Sequence, residues 1–208
     1  MWELVGNYTG CMIGYHSVPV IVDAYRKGQR DFDIEKAYNA MVESASYKTE
    51  GILFPSESVQ EKLMPKAKHY NTELGYVPAN LDRQSVSKAL EYAYNDWCIA
   101  QMAKEIGKAD DYNYFMERST RYTEYYDQAS GFMRGKNDDG KWREPFNPRR
   151  SEHRVDDYTE GNAFQWSWFV PHDVEGLVHL VGGTEKFIEK LDTLFSTSSD
   201  LVGDHVSS

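Results

Sequence analysis

The stretch SVSKALEYAYNDWCIAQMAKEIG, residues 85–107, decides the fold class. Its apolar side chains recur every three or four positions, which is the period of a helix with one buried face. They are Val86, Ala89, Leu90, Ala93, Trp97, Ala100 and Ile106. We expect Ser85 to cap this helix and Gly107 to end it.

The rest of the chain repeats this helical pattern around irregular connections. A second helix with a stripe as far as Tyr126 is predicted from Asp110, and further amphipathic helices follow Asp33 and begin at Thr184. Residues 48–80 are rich in Pro and Gly and predict a long connection with at most short helices. No stretch of the sequence maintains the alternation of apolar and polar residues that is typical of a β-strand. The chain is therefore predicted to be all-α, with helices paired as antiparallel hairpins.

Composition narrows the class of protein. The 208 residues carry 33 acidic and 23 basic side chains, a formal net charge of −10, which argues against a nucleic-acid partner. No apolar run approaches the roughly 18 residues of a membrane span, and the N-terminus lacks the pattern of a signal peptide. Cys11 and Cys98 are too few for a disulfide framework, so we expect buried thiols.

The segment YTEGNAFQWSW, residues 158–168, is the sharpest candidate for chemistry. Apolar walls raise the pKa of a carboxyl group such as Glu160, as a general acid near neutral pH requires. The amides of Asn162 and Gln165 would hold sugar hydroxyls, and Trp faces would hold a pyranose ring. In the structural alternative, Thr159 caps a helix, Glu160 lies in its first turn and the aromatic residues fill a core. Composition alone does not distinguish the catalytic interpretation from the structural one.

Two further sets combine imidazole and carboxyl groups. Asp173 could orient the ring of His172, or it could simply begin a helix. Trp2 and Glu3, together with His16, flank an apolar helix; a lone His in such a place is often a core residue.

Paired acidic residues are the remaining candidates. Asp138-Asp139 and Asp156-Asp157 match neither an EF-hand nor an HExxH pattern. We therefore assign no metal ligand in this chain and expect these residues in solvated turns.

Five blocks, taken in order, resemble glycoside hydrolase family 92, the calcium-dependent α-mannosidases. They are the WEL to VDAY block at 2–25, KAYNAMVESA at 36–45, ELGYVPA at 73–79, SVSKALEYAYNDWCIAQMAK at 85–104 and DYTEGNAFQWSWFVPHDVEGL at 157–177. The resemblance implies that residues 1–208 form a single partial domain, part of an (α/α)-barrel catalytic domain. The family's N-terminal β-sandwich and the C-terminal part of the barrel would lie outside the chain.

The resemblance also implies a reaction. Glu160 matches the general acid of an inverting exo-α-mannosidase that removes terminal mannose from N-glycans or mannans. The expected linkage is α-1,2. Trp2, Glu3 and His16 would reach the sugar-binding mouth, and Asn162 and Gln165 would bind hydroxyls. An inverting enzyme needs a base carboxylate roughly 6.5 to 9.5 Å from the acid, and the family's base lies downstream of this chain.

Cofactor, partners and location follow from the same resemblance. The family implies Ca²⁺ with ligands outside this chain, mannose-containing glycans as substrates, and a periplasmic or secreted full-length protein. Because an incomplete barrel exposes apolar helix faces, the isolated chain is predicted to self-associate. It is also predicted to be inactive, because an acid without the base and the metal leaves the water unactivated.

A different class of function stays open on the residues alone. The hairpin at 85–127 has the spacing of a helical-repeat module that binds or scaffolds a partner without catalysis. The absence of a repeat period counts against this alternative.

Overall fold

The protein is mainly helical, as the sequence predicts. The computed structural model describes residues 12–152, 154–198, 200 and 202–203. Within them lie α1 Ser17–Arg26, α2 Ile34–Ser44, α3 Glu57–Leu63, α4 Lys66–Glu73, α5 Ser85–Glu105, α6 Ala109–Ser119, α7 Ala163–Trp166, α8 Val174–Val181 and α9 Thr184–Ser196. One short antiparallel pair joins β1 Tyr126–Asp127 to β2 Phe132–Met133. The all-α prediction is confirmed.

Helix starts and ends agree with the sequence in most places. The side chain of Asp33 accepts the N–H of Lys36 and caps α2. The connection at 48–80 contains only the short helices α3 and α4. After α5, Gly107 takes a left-handed backbone with φ of 80°.

Two boundaries differ from the prediction. Ser85 does not precede α5 as its cap but is the first helical residue, and its hydroxyl donates to Asp157. The helix predicted to carry Tyr126 ends at Ser119 and continues as a 3₁₀ turn, Thr120–Tyr125. Tyr126 cannot stay helical because its backbone pairs with Met133 in the hairpin.

The chain forms two compact units. The first comprises Met1–Tyr76 and Glu91–Thr120, and the second comprises Val77–Leu90 and Arg121–Ser208. The buried side chains of the first include Val18, Val22, Tyr38, Met41, Tyr92, Ile99, Met102 and Phe115. Those of the second include Val77, Val86, Leu90, Tyr122, Tyr125, Met133, Val170 and Leu177.

The first unit contains a buried charge cluster. Asp96 is fully buried and accepts the Tyr15 hydroxyl at 2.5 Å and Nε of Arg118 at 2.8 Å. Arg118 also donates to the carbonyl oxygen of Ala45 at 3.1 Å. The charges tolerate burial because each has a charged or polar partner. The cluster fixes Tyr15 and the start of α1.

Several large apolar side chains remain exposed, among them Val20, Leu53, Ile188 and Phe195. They are the kind of surface on which the predicted self-association rests. Cys98 is buried, as expected, and its thiol pKa is raised by burial to about 12; Cys11 lies outside the described residues. None of the helices described is both long and apolar enough to cross a membrane.

Candidate active site

The segment that leads to Glu160 is docked on the start of α5. The carbonyl oxygen of Asp157 accepts the N–H groups of Val86 and Ser87 at 3.1 and 3.2 Å. Its carboxylate accepts the Ser85 hydroxyl at 3.0 Å. The first N–H groups of a helix have no acceptor within the helix, so Asp157 provides hydrogen-bond acceptors at the N-terminus of α5. The position of residue 157 is thereby tied to a 21-residue helix.

The expectation of solvated turns is wrong for Asp156 and Asp157, which are both buried. Burial raises the pKa of Asp157, while Arg143, whose Nη1 donates to it at 2.9 Å, opposes that rise. Burial likewise raises the pKa of Asp156, which lies 3.3 Å from Nε of Arg150. Each of these two carboxyl groups faces an arginine whose own side chain is partly exposed, and these pairs offset part of the cost of burial.

Asp138 and Asp139 do lie in an exposed turn. Asn80 donates to Asp138 at 2.9 Å, and Asp139 pairs with Lys141. No group of three His, Cys, Asp or Glu side chains among the described residues is placed to hold a metal ion.

Glu160 projects from a strained turn. Its φ of 46° is left-handed, which is uncommon for a residue with a side chain and persists only where the surroundings enforce it. Its side chain is exposed, so the aromatic residues around it do not enclose the carboxyl group as expected. No hydrogen bond or ion pair to this carboxyl group occurs within the described part of the chain.

Asn162, not Thr159, caps the helix that follows. The Asn162 side chain accepts the N–H groups of Phe164 and Gln165, and Oε1 of Gln165 accepts the N–H of Asn162 at 3.1 Å. This reciprocal capping box begins α7 and corrects the structural alternative, which placed Thr159 at the cap and Glu160 in the first turn. Asn162 is buried by its capping role, whereas Gln165 is exposed.

The residue before Glu160 is held through both of its backbone polar groups. The N–H of Thr159 donates to Oγ of Ser87 at 2.8 Å, and its carbonyl oxygen accepts Nε1 of Trp166 at 2.7 Å. Sequence reasoning missed Ser87 because nothing local indicates a contact between positions 72 residues apart.

A shallow cavity of about 320 Å³ adjoins the same turn. Phe164, Gln165, Arg149 and Leu194 contribute to its lining. The Arg149 guanidinium lies 5.5 Å from the ring centre of Phe164, and Phe132 meets that ring edge-on at 4.8 Å. A half-exposed aromatic ring beside an amide is a combination that suits a sugar ring and its hydroxyls.

His16 belongs to the first unit, where its imidazole is engaged at both nitrogens. Its Nε2 accepts the N–H of Gly14 at 3.1 Å, and its Nδ1 lies 3.6 Å from the Glu91 carboxylate. Burial lowers the pKa of His16 and raises the pKa of Glu91 to about 7. Glu91 was not among the sequence candidates. Trp2 and Glu3 lie outside the described residues.

The second imidazole and carboxyl pair follows the helix-start alternative. Asp173 caps α8 by accepting the N–H of Gly176 at 2.9 Å, and its other oxygen accepts the Tyr122 hydroxyl at 2.7 Å. His172 packs edge-on against the Tyr122 ring. Asp173 therefore caps α8 and fixes the Tyr122 hydroxyl.

The turn that bears Glu160 belongs to a mainly helical chain, and comparison with known proteins gives the family of that chain. Residues 1–206 match the glycosyl hydrolase family 92 catalytic domain, so the chain belongs to glycoside hydrolase family 92. Its helices are part of the (α/α)-barrel that this family forms.

Solved and curated relatives agree. A family GH92 inverting mannosidase from Bacteroides thetaiotaomicron superposes with a TM-score of 0.80 at 36% identity, covering 92% of this chain and 24% of that one. A GH92 α-mannosidase of the same organism gives 0.76 at 40% identity, with 90% and 23% coverage. An uncharacterized secreted glycosidase of Arthroderma benhamiae is 27% identical over 93% of this chain and 28% of its own length. The chain thus spans about a quarter of the length of these relatives.

Proposed function

We propose that this chain is the part of a family 92 catalytic domain that carries the general acid, Glu160, of an inverting exo-α-mannosidase. The observation that carries the proposal is the Glu160 turn itself. An exposed carboxyl group stands on a left-handed residue, and the backbone on either side is bonded to α5 and α7.

This geometry suits proton donation. A general acid must reach the oxygen of the glycosidic bond, which lies in substrate and therefore in an open site. The Glu160 carboxyl group has no ion-pair partner among the described residues and is accessible to substrate, whereas Asp157 accepts a hydrogen bond from Arg143. Fixing the backbone reduces the conformational freedom that would otherwise be lost when the substrate is bound.

Inversion requires a second carboxylate that activates water on the far face of the sugar, about 6.5 to 9.5 Å from the acid. We propose that this base belongs to a part of the catalytic domain beyond this segment. A solved relative that is named an inverting mannosidase supports the stereochemical assignment. On this account the 208-residue chain alone is inactive, because the proposed base that activates the water is not part of it.

The substrate we propose is a terminal α-linked mannose, with α-1,2 linkages in N-glycans or mannans as the first choice. The amide nitrogen of Gln165 is the better hydroxyl partner of the two amide side chains, because Gln165 is exposed and Asn162 is buried in its cap. His16, Trp2 and Glu3 remain proposed members of the sugar-binding mouth.

Calcium and location are proposals for the whole enzyme. We propose that any Ca²⁺ ligands come from outside this segment, as the family resemblance implies. A periplasmic or secreted location fits a glycan substrate, and one curated relative is named a secreted glycosidase.

The test compares two conservative changes in the complete enzyme. Glu160→Gln should lower turnover of an α-mannobiose by about 10²- to 10⁴-fold, the usual contribution of a general acid, while binding of a mannose-derived inhibitor persists. Glu175→Gln, a change at another exposed glutamate, in the first turn of α8, should have no such effect. Unchanged turnover by Glu160→Gln would remove the assignment.

A further inference from the structure

The left-handed conformation of Glu160 requires an explanation in its surroundings. A non-glycine residue with φ of 46° is held in a sparsely populated backbone region. Such conformations persist when neighbouring contacts over-determine them, and they occur preferentially at functional sites. The contacts that enforce this one are therefore candidates for a role in catalysis.

Two side chains from different helices bind the peptide groups of Thr159. Ser87 is fully buried in the first turn of α5, and its own N–H is bonded to Asp157, so its hydroxyl oxygen has a fixed position from which to accept the Thr159 N–H. Trp166 ends α7 and donates its indole N–H to the Thr159 carbonyl oxygen. Together they fix both peptide planes of the residue that precedes the acid.

The indole also lies beside the residue that follows the acid. A Cβ atom placed on Gly161 would lie 3.2 Å from Nε1 of Trp166 and 2.8 Å from Oε1 of Gln165. The absence of a side chain at 161 is what lets the indole reach across the turn to Thr159. Trp166 therefore donates a hydrogen bond to the residue before Glu160 and lies beside the glycine after it.

We propose that Trp166 and Ser87 are positioning residues for Glu160, holding the Thr159–Gly161 turn so that the carboxyl group meets the glycosidic oxygen. This inference rests on the proposed function. It assigns to the Trp166 indole N–H a part in proton transfer through Glu160, beyond its packing.

The principal variant is Trp166→Phe in the complete enzyme, which removes the N–H donor and keeps an aromatic ring. We expect kcat for an α-mannobiose to fall by about 10- to 100-fold, the effect of misplacing a reacting group by up to an ångström, with KM changed less than about twofold. A dinitrophenyl α-mannoside, whose leaving group needs little protonation, should be hydrolysed at nearly the original rate.

The matched control is Trp168→Phe, the same change two residues along the chain. Trp168 packs edge-on against Phe187 of α9 and does not bond the Glu160 turn in the described structure. It should leave the ratio of the two substrates' rates unchanged. Ser87→Ala is the second variant, because alanine suits a helix and the change removes only the acceptor for Thr159. It should reproduce the selective loss even if Trp166→Phe fails to fold.

The outcomes separate the two proposals. Selective loss on mannobiose supports the positioning role. Equal loss on both substrates, or no loss in either variant, overturns it, since a merely structural contact would affect both alike. If Glu160→Gln itself leaves mannobiose turnover intact, the general-acid assignment fails, and the positioning role fails with it. If Glu160→Gln is inactive and both positioning variants are normal, only the positioning role fails.

Discussion

Asp96 in the first unit and Glu160 in the second are carboxyl groups that the chain treats in opposite ways. Asp96 is fully buried, and its two oxygens are bonded to Tyr15 and Arg118. Glu160 has an exposed side chain, and the bonds around it are made by the neighbouring backbone. The first arrangement compensates a buried charge and stabilises a core, whereas the second fixes the position of a carboxyl group and leaves that group open to substrate. Hydrogen bonds and ion pairs to a carboxyl group therefore do not identify that group as catalytic.

The largest expected effect on stability is in the buried cluster. Arg118→Met should lower the free energy of unfolding by about 3 to 5 kcal/mol, because it leaves Asp96 buried without its cation. Arg26→Met is the control, since Arg26 is half-exposed and its pair with Glu105 is worth about 1 kcal/mol at most. Urea unfolding of the two variants measures the difference. Equal losses would contradict the structural role given to Asp96.

Glu91 provides an intermediate case, because it is largely buried beside a histidine. Its pKa is raised by burial from 4.5 to about 7, so between these pH values the unfolded state releases a proton that the folded state retains. Glu91 therefore lowers the free energy of unfolding as pH rises from about 4.5 to 7, by up to about 3 kcal/mol. Burial lowers the pKa of His16, which destabilises in the opposite direction, as pH falls below 6.5.

The measurement is the free energy of unfolding of Glu91→Gln and of the unchanged chain at pH 5 and at pH 7. The variant should lack the loss that Glu91 causes, while His16 is common to both proteins. Glu43→Gln, at an exposed position of α2, should follow the unchanged chain. Parallel pH curves for Glu91→Gln and the unchanged chain would mean that Glu91 is not desolvated.

The smallest predicted effect distinguishes the two helix caps. Asn162→Ala and Asp33→Ala each remove a side chain that accepts N–H groups at a helix start, and each should cost about 1 kcal/mol of stability. Only Asn162→Ala should also reduce mannobiose turnover by the complete enzyme, because Asn162 fixes the turn that bears Glu160. A similar loss of turnover in both variants would show that the Asn162 cap has no specific role in positioning Glu160.

Local patterns made much of the fold predictable. The Asp33 cap, the Gly107 end of α5 and the start of α9 at Thr184 are visible as residue types at fixed spacing. The cap at Asn162 also had a signal, since Asn followed three residues later by Gln is a capping-box sequence. The structural alternative based on Thr159 did not use this signal.

The features of the candidate site that the sequence did not predict depend on contacts between residues far apart in the chain. The burial of Asp157 depends on the N-terminus of α5, and the Thr159 bond to Ser87 spans 72 residues. The left-handed backbone of Glu160 could not be read from a glutamate, because such a residue adopts it only when other segments enforce it. The identity of the candidate acid came from the family motif, and its physical setting came from the structure.

The most direct test of the central claim is the dependence of rate on leaving group for Glu160→Gln in the complete enzyme. With a series of aryl α-mannosides, the unchanged enzyme should show a shallow dependence on the acidity of the departing phenol, because Glu160 protonates the oxygen as the bond breaks. The variant should lose about 10²- to 10⁴-fold on the least acidic phenol and little on dinitrophenol, giving a steep dependence. Parallel dependences in the two proteins would mean that Glu160 is not the general acid.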